Sequence, residues 1–204
     1  MKHTKAKRYL EYYKGKPGAD ILRHEARYLR RHLGSCRRIL DIGCGPGIFE
    51  RELKDLDITG VDPDPGMLEL AGETAPGARF IKGKAESLPF ADRTFDGAFF
   101  VTSLEFVKDQ KKAMGEAARV LTKGGRIVYL ILNPESDYFK EKIRGNGYIA
   151  KGTAHIELGA IENRLSQRFE VKGEYILGID GKRVFPSKDP DQAAIYAIVG
   201  KKKE

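Results

Sequence analysis

The sequence predicts an α/β protein: a doubly wound, seven-stranded, mostly parallel sheet with an antiparallel last strand and helices on both faces. Three observations predict it. Short apolar runs alternate with helical patterns from residue 38 to residue 132. The first run, Ile39-Leu40-Asp41-Ile42, leads straight into a glycine loop, Gly43-Cys44-Gly45-Pro46-Gly47. After residue 165 the alternation stops and two strand-like runs remain, with no long helical pattern between them.

The elements follow in order. Asp20 reads as the N-cap of a helix reaching about Leu33, with Leu22, Ala26, Leu29 and Leu33 on one face and Gly34 as its stop. Residues 38–42 form a strand and 46–54 open a helix; 58–61 form a strand, followed by a helix around 67–71. A short strand at 79–82 and an apolar, aromatic strand at 95–101 come next. Asp109 caps a helix whose Ala113, Ala117, Val120 and Leu121 share a face, Gly124-Gly125 ends it, and 126–132 is a strand. This alternation calls for parallel strands covered on both faces.

The runs at 169–177 and 193–200, separated by Asp180-Gly181 and two prolines, read as an antiparallel pair finishing the sheet. Residues 133–165 fit neither pattern and carry Tyr138, Phe139, Tyr148, His155 and several glycines, as a lid insertion over a site would. The expected organisation is therefore 1–36 as basic N-terminal cap helices and 37–204 as the ligand-binding domain, with 133–165 as the lid.

Composition narrows the class. At 204 residues the chain can bury one substantial core, and no run of eighteen apolar residues suggests a membrane span. The polar, basic N-terminus lacks the features of a secretory signal, so a cytoplasmic location is expected. Cys36 and Cys44 are expected as free thiols, because a disulfide would distort the glycine loop. His3, His24, His32 and His155 are scattered without ligand spacing, so no metal site is expected.

The net charge of +8 is uneven. Residues 1–38 hold 12 Lys/Arg against 3 acids, 39–139 hold 12 against 17, and 140–204 hold 13 against 9. The basic excess belongs mainly to the N-terminal arm. A solvated helix face is the first reading of it, and a grip on nucleic acid or an anionic small molecule the second.

The glycine loop carries the chemistry. Asp41 closes the first strand and Asp62 the second, so both acids lie at the ligand-binding edge of a doubly wound sheet. Asp62 can accept from a ribose diol, while the loop amides and the helix start favour an anion. Two cofactor classes share this design. A nicotinamide loop has the pattern Gly-x-Gly-x-x-Gly; here the third glycine comes one residue early, and Pro46 removes a donor. A carboxylate just before the loop repels a pyrophosphate and attracts an ammonium. The physical reading favours S-adenosylmethionine, which has an ammonium and no phosphate.

Four segments make the resemblance specific: ILDIGCGPG at 39–47, GVDPDPGMLELA at 60–71, GKAESLPFADRTFDGAFFVTSLEFVKD at 83–109, and EAARVLTKGGRIVYLILNPES at 116–136. In this order and spacing the chain resembles the class I S-adenosylmethionine-dependent methyltransferases, in particular the small single-domain type 11 group with its Rossmann-like fold. The resemblance implies that Asp41 and the backbone at Gly43 and Gly45 hold the methionine end, and that Asp62 binds the ribose. It implies that Pro63 and Met67 pack on the adenine, that Ala85 and Glu86 line its edge, and that the backbone at Thr102 accepts from the ammonium. The Leu88-Pro89-Phe90 run reads as a structural turn closing that pocket. One position departs: relatives commonly have Gly-Asp-Ala where this chain has Gly83-Lys84-Ala85, and lysine offers no acceptor to the adenine amino group.

Glu105 and His155 are the candidate general bases, each with a plain alternative as a surface residue, and His24 is expected at the surface. Tyr9, Tyr12 and Tyr13 could close over the cofactor or simply pack. Asn133-Pro134 reads as a turn, because it lacks the second proline and the aromatic residue of the amino-group methyltransferase motif. The leading expectation is methyl transfer from S-adenosylmethionine to a small-molecule acceptor. An RNA-binding methyltransferase, or a non-catalytic RNA-binding derivative using the basic arm, is the alternative, and a nicotinamide-dependent oxidoreductase the third reading.

Overall fold

The computed structural model describes residues 3–144 and 156–204, with side chains from Ala6 onward in the first segment. The apolar runs pair into one sheet: β1 (Ile39–Ile42), β2 (Ile58–Asp62), β3 (Arg79–Lys82), β4 (Phe95–Val101), β5 (Leu121–Leu132), β6 (Phe169–Asp180), β7 (Arg183–Pro186) and β8 (Ala193–Lys202). Their order is β3-β2-β1-β4-β5-β8-β6-β7. Strands β1 to β5 pair in parallel, and β8 runs antiparallel to both β5 and β6. The expected architecture stands, with the antiparallel last strand in the place foreseen. The eighth strand is β7, which turns back on β6 through a tight loop with Gly181 at φ +55°. Its four residues are too short, and too exposed at both ends, to show a pattern in the sequence.

Helices cover the sheet: α1 (His3–Lys14), α2 (Gly18–Leu33), α3 (Ile48–Glu52), α4 (Pro65–Thr74), α5 (Gln110–Val120), α6 (Asp137–Arg144) and α7 (Leu158–Ser166), with a 3-10 turn at Leu104–Phe106. Strand residues alternate between two cores, as the period of two requires. Ile39, Phe99, Val101, Val128 and Leu130 face α2, whose Leu22, Leu29 and Leu33 fill that side. Leu40, Ala98, Phe100, Ile127 and Tyr129 face the other way, against Ala113 and Ala117 of α5 and Ile161 and Leu165 of α7. Burying a leucine such as Leu29 contributes about 1.5–3 kcal/mol.

Two boundaries differ from expectation. α2 begins at Gly18, after Pro17, so Asp20 lies in its first turn rather than at its cap. There it pairs with Arg23 and still sits at the favourable end of the helix dipole. α5 ends at Val120, and β5 starts at once with Leu121. Gly124-Gly125 therefore lies within the extended segment, where Gly124 takes φ +71° and the β4–β5 register shifts. The cap at Asp109 is as expected: its carboxylate accepts from the Lys112 amide at 2.9 Å.

In the 133–165 stretch the described parts are 133–144, which hold α6, and 156–165, which hold α7 but for its last residue; Tyr148 and His155 lie outside the described residues. The chain leaves β1 outward to β2 and β3, then returns to β4 on the other side of β1. That reversal is the switch point of a doubly wound sheet, where a crevice opens beyond the strand ends.

Candidate active site

Asp41 sits beside this reversal, in register with Gly60 of β2 and Phe99 of β4. It is 2% exposed, and its Oδ2 has no hydrogen-bond partner among the described residues. Burial raises its carboxyl well above the ordinary range, and the carboxyls of Glu50 and Asp62 add to the shift. Three acids thus crowd one small volume, an arrangement that a cation relieves.

The glycine loop behaves differently from a phosphate cradle. Gly43, Gly45 and Gly47 all take positive φ, at +86°, +54° and +74°. Their conformation turns the loop's donors inward. The amides of Gly43 and Cys44 donate to the Val61 carbonyl at 2.8 and 3.1 Å, and that of Gly47 to the Cys44 carbonyl at 3.2 Å. The Gly45 amide donates to Asp62 Oδ2 at 3.0 Å, and Pro46 has no amide hydrogen. Every loop donor is committed within the chain, so the expectation that these amides welcome an anion does not hold, and the case against a pyrophosphate is strengthened. A Cβ on Gly45 would meet nothing within 4 Å, so the loop presents bare backbone to open space there.

Asp62 closes β2 with its other oxygen, Oδ1, accepting from the Asp64 amide at 2.8 Å. These two bonds hold the carboxylate in one orientation. Pro63 is exposed beside it, at the entry to α4, which is capped by Asp64 accepting from the Gly66 amide at 2.8 Å. Met67 is buried and packs with Leu70 against Ala6 and Leu10 of α1. The N-terminal helix therefore reaches the element expected to meet an adenine. Ala85 and Glu86 are half-buried on the turn after β3, closed by the Ser87 amide donating to the Lys84 carbonyl at 3.0 Å. Leu88 is held by its amide donating to Glu116 at 2.8 Å, and Arg119 donates to the Leu88 and Phe90 carbonyls, as a structural turn requires.

At the end of β4, Thr102 takes φ +42°, an unfavourable region for a β-branched residue. Its amide donates to the Leu130 carbonyl at 2.8 Å, and the Ser103 hydroxyl donates to the Ile42 carbonyl at 2.7 Å. The first bond ties the end of β4 to β5, and the second ties it to the end of β1, beside Asp41. A Cβ on Gly43 would approach the Ser103 Cβ to 2.6 Å, so Gly43 permits this closure as well as the turn.

Glu105 is fully buried, not a surface residue: its Oε1 accepts from the Leu132 amide at 2.7 Å, at the end of β5. Burial pushes its carboxyl up to about 7. Asn133 is a turn residue, as expected. Its amide donates to the Pro190 and Ala193 carbonyls at 2.7 and 2.8 Å, and its oxygen accepts from the Glu135 amide at 3.0 Å, which leaves no group for chemistry. His24 is only partly buried, with its imidazole held below the ordinary range by burial and by Arg27.

Two buried acids escape a reading by motif. Glu50, in α3, has neither carboxylate oxygen partnered among the described residues, and burial pushes it up to about 7. A Cβ on Gly60 would meet its Oε1 at 2.6 Å, so Gly60 makes room for it over β2. Glu25 is 1% exposed in the middle of α2. Its signal was present: it falls between Leu22 and Leu29 on the apolar stripe, where a carboxylate has no solvent.

Comparison with known proteins gives the same assignment. Residues 40–129 match the methyltransferase domain family. The chain is 35% identical over 111 residues to a demethylmenaquinone methyltransferase of Thermotoga maritima, covering 52% of this chain and 48% of that protein. It is 34% identical over 140 residues to a ubiquinone/menaquinone biosynthesis C-methyltransferase of Campylobacter jejuni, covering 63% and 57%. The chain thus spans about half the length of the curated relatives it matches. Among solved structures, an S-adenosylmethionine-dependent methyltransferase of T. maritima, described as a possible histamine N-methyltransferase, superposes with a TM-score of 0.76 at 29% identity over 89% of each chain. The buried acid before a donor-spent glycine loop, the acid closing β2 and these comparisons converge: residues 40–129 match a methyltransferase domain, and the chain is similar in sequence and fold to S-adenosylmethionine-dependent methyltransferases.

Proposed function

We propose that this chain transfers the methyl group of S-adenosylmethionine to a small-molecule acceptor. The observation that carries the reading is the buried, unpartnered Oδ2 of Asp41 beside a loop with no amide left to offer. Such a site fits an ammonium and offers a phosphate nothing. When bound, the cofactor supplies a methyl group on a positively charged sulfur, already activated for transfer.

The chain's part is binding and alignment. Asp41, with the backbone at Gly43, Gly45 and Thr102, holds the methionine end. Asp62, fixed by the Gly45 and Asp64 amides, accepts from the ribose hydroxyls. Pro63 and Met67 flank the adenine, and Ala85 and Glu86 line its edge, with Glu86 the nearest substitute for the acid that Lys84 replaces. The relatives' names support a small acceptor, since demethylmenaquinone and histamine are both small molecules.

Calorimetric titration of the full chain with S-adenosylhomocysteine tests the reading. Micromolar binding that weakens about tenfold or more in Asp41→Asn and about a hundredfold or more in Asp62→Ala is the expected result. No heat of binding at millimolar ligand overturns it.

A further inference from the structure

Resting on the methyltransferase reading, we infer that the methyl acceptor is a small, positively charged amine, bound between the carboxylates of Glu25 and Glu105 beneath the tyrosines of α1. Glu105 stands three residues beyond Thr102, at the edge of the sheet where the cofactor is placed, and is anchored there by the Leu132 amide. Glu25 comes from α2 and is close enough for the Glu105 charge to act on it. The two residues are 1% and 0% exposed. In each, Oε2 has no hydrogen-bond partner among the described residues, and no described lysine, arginine or histidine forms an ion pair with either.

Two like charges without solvent or counterion are costly on their own, and neutral packing would serve stability better. A cation between them offsets both. The tyrosines near Glu25 suit the same ligand. Tyr9 and Tyr13 lie 5.1 Å apart between ring centroids, and Tyr12 meets Tyr13 edge-on at 5.2 Å. Tyr12 and Tyr13 both lie within electrostatic reach of Glu25, and Tyr138 at the start of α6 is close to Tyr12. Aromatic faces grouped around a carboxylate bind ammonium ions through their negative π faces. A neutral quinol or phenol would gain little from either feature. Because both carboxylates are closed from solvent, an element covering them must move for the amine to enter.

The arrangement also handles the proton. The bound ammonium passes one proton to a carboxylate, and the freed nitrogen lone pair forms the new N–C bond. The methyl–sulfur bond breaks with its electron pair staying on sulfur, and the carboxyl later releases the proton to solvent. The products are a methylated ammonium, S-adenosylhomocysteine and one proton.

The test uses the full chain saturated with S-adenosylhomocysteine, titrated at pH 7 with matched pairs: n-butylamine and n-butanol, 2-phenylethylamine and 2-phenylethanol. At least one amine is expected to bind about tenfold or more tighter than its alcohol. Glu25→Gln and Glu105→Gln should each remove that preference while S-adenosylhomocysteine affinity is retained. Equal binding of amine and alcohol in every pair, or a preference that survives both substitutions, overturns the inference and leaves the methyltransferase reading intact. Failure of S-adenosylhomocysteine to bind the wild-type chain overturns both.

Discussion

The Gly45 amide donates to Oδ2 of Asp62, so the acid proposed to bind the ribose also fastens the loop that follows Asp41. One carboxylate therefore sets the turn and, in the proposed binding mode, the ribose contact. On that proposal a change at Asp62 is expected to act on both ends of the cofactor.

Asp62→Ala should therefore weaken S-adenosylhomocysteine binding by about a hundredfold or more. It should also lower stability, by about 1–3 kcal/mol, because the Gly45 and Asp64 amides lose their acceptor. Calorimetric titration and urea unfolding measure the two effects. Unchanged affinity with lowered stability would assign Asp62 to the loop alone.

Asp41→Asn should separate stability from binding. The wild-type carboxyl is buried next to Glu50 and Asp62, so removing its charge should raise the unfolding midpoint of the free chain by a few degrees. The same change removes the counter-charge for the ammonium and should cut cofactor affinity about tenfold or more. A variant that is both less stable and unimpaired in binding would contradict this account.

Glu25 gives the free chain a pH-dependent stability. Its folded carboxyl is raised from 4.5 to about 8, first by burial and then by Glu105, with Tyr12 and Tyr13 of α1 facing the same group. An acid raised in this way holds its proton more tightly folded than unfolded. Its cost is absent below the unfolded value, grows as pH rises through the interval, and is complete above about 8. Thermal midpoints should fall from pH 5 to pH 8, and Glu25→Gln should flatten the fall. An equal slope in both proteins would remove Glu25 as its source.

Glycines with and without neighbours should diverge. Gly43→Ala places a Cβ 2.6 Å from that of Ser103 at a positive φ, and should cost about 2 kcal/mol or more. Gly115→Ala, inside α5 with nothing within 4 Å, should stabilise by about 0.5–1 kcal/mol. Denaturant midpoints of the two variants check both signs.

Much of this was legible in the sequence because local rules and tertiary roles agree from 39 to 132. Asp41 ends an apolar strand, and Asp109 is a cap in both sequence and structure. What stayed hidden depends on packing between distant segments. The burial of Glu105 requires the Leu132 amide, 27 residues away. Glu25 lies on the stripe between Leu22 and Leu29, but only the packing of α2 against the sheet shows that a carboxylate there is fully covered. The inward direction of the loop amides could not be read either, since it depends on the carbonyl of Val61, from another strand. β7 is only a hairpin's return, and its four residues carry too little periodicity to announce themselves.

The committed amides of the glycine loop also bear on protein engineering. Replacing Pro46 with glycine would restore one N–H and leave the donors of Gly43, Cys44, Gly45 and Gly47 where they are. Conversion to a dinucleotide enzyme would require the whole turn to be rebuilt together with Val61 and Asp62. Cofactor choice here is a property of the scaffold's own wiring, resistant to drift by single substitutions.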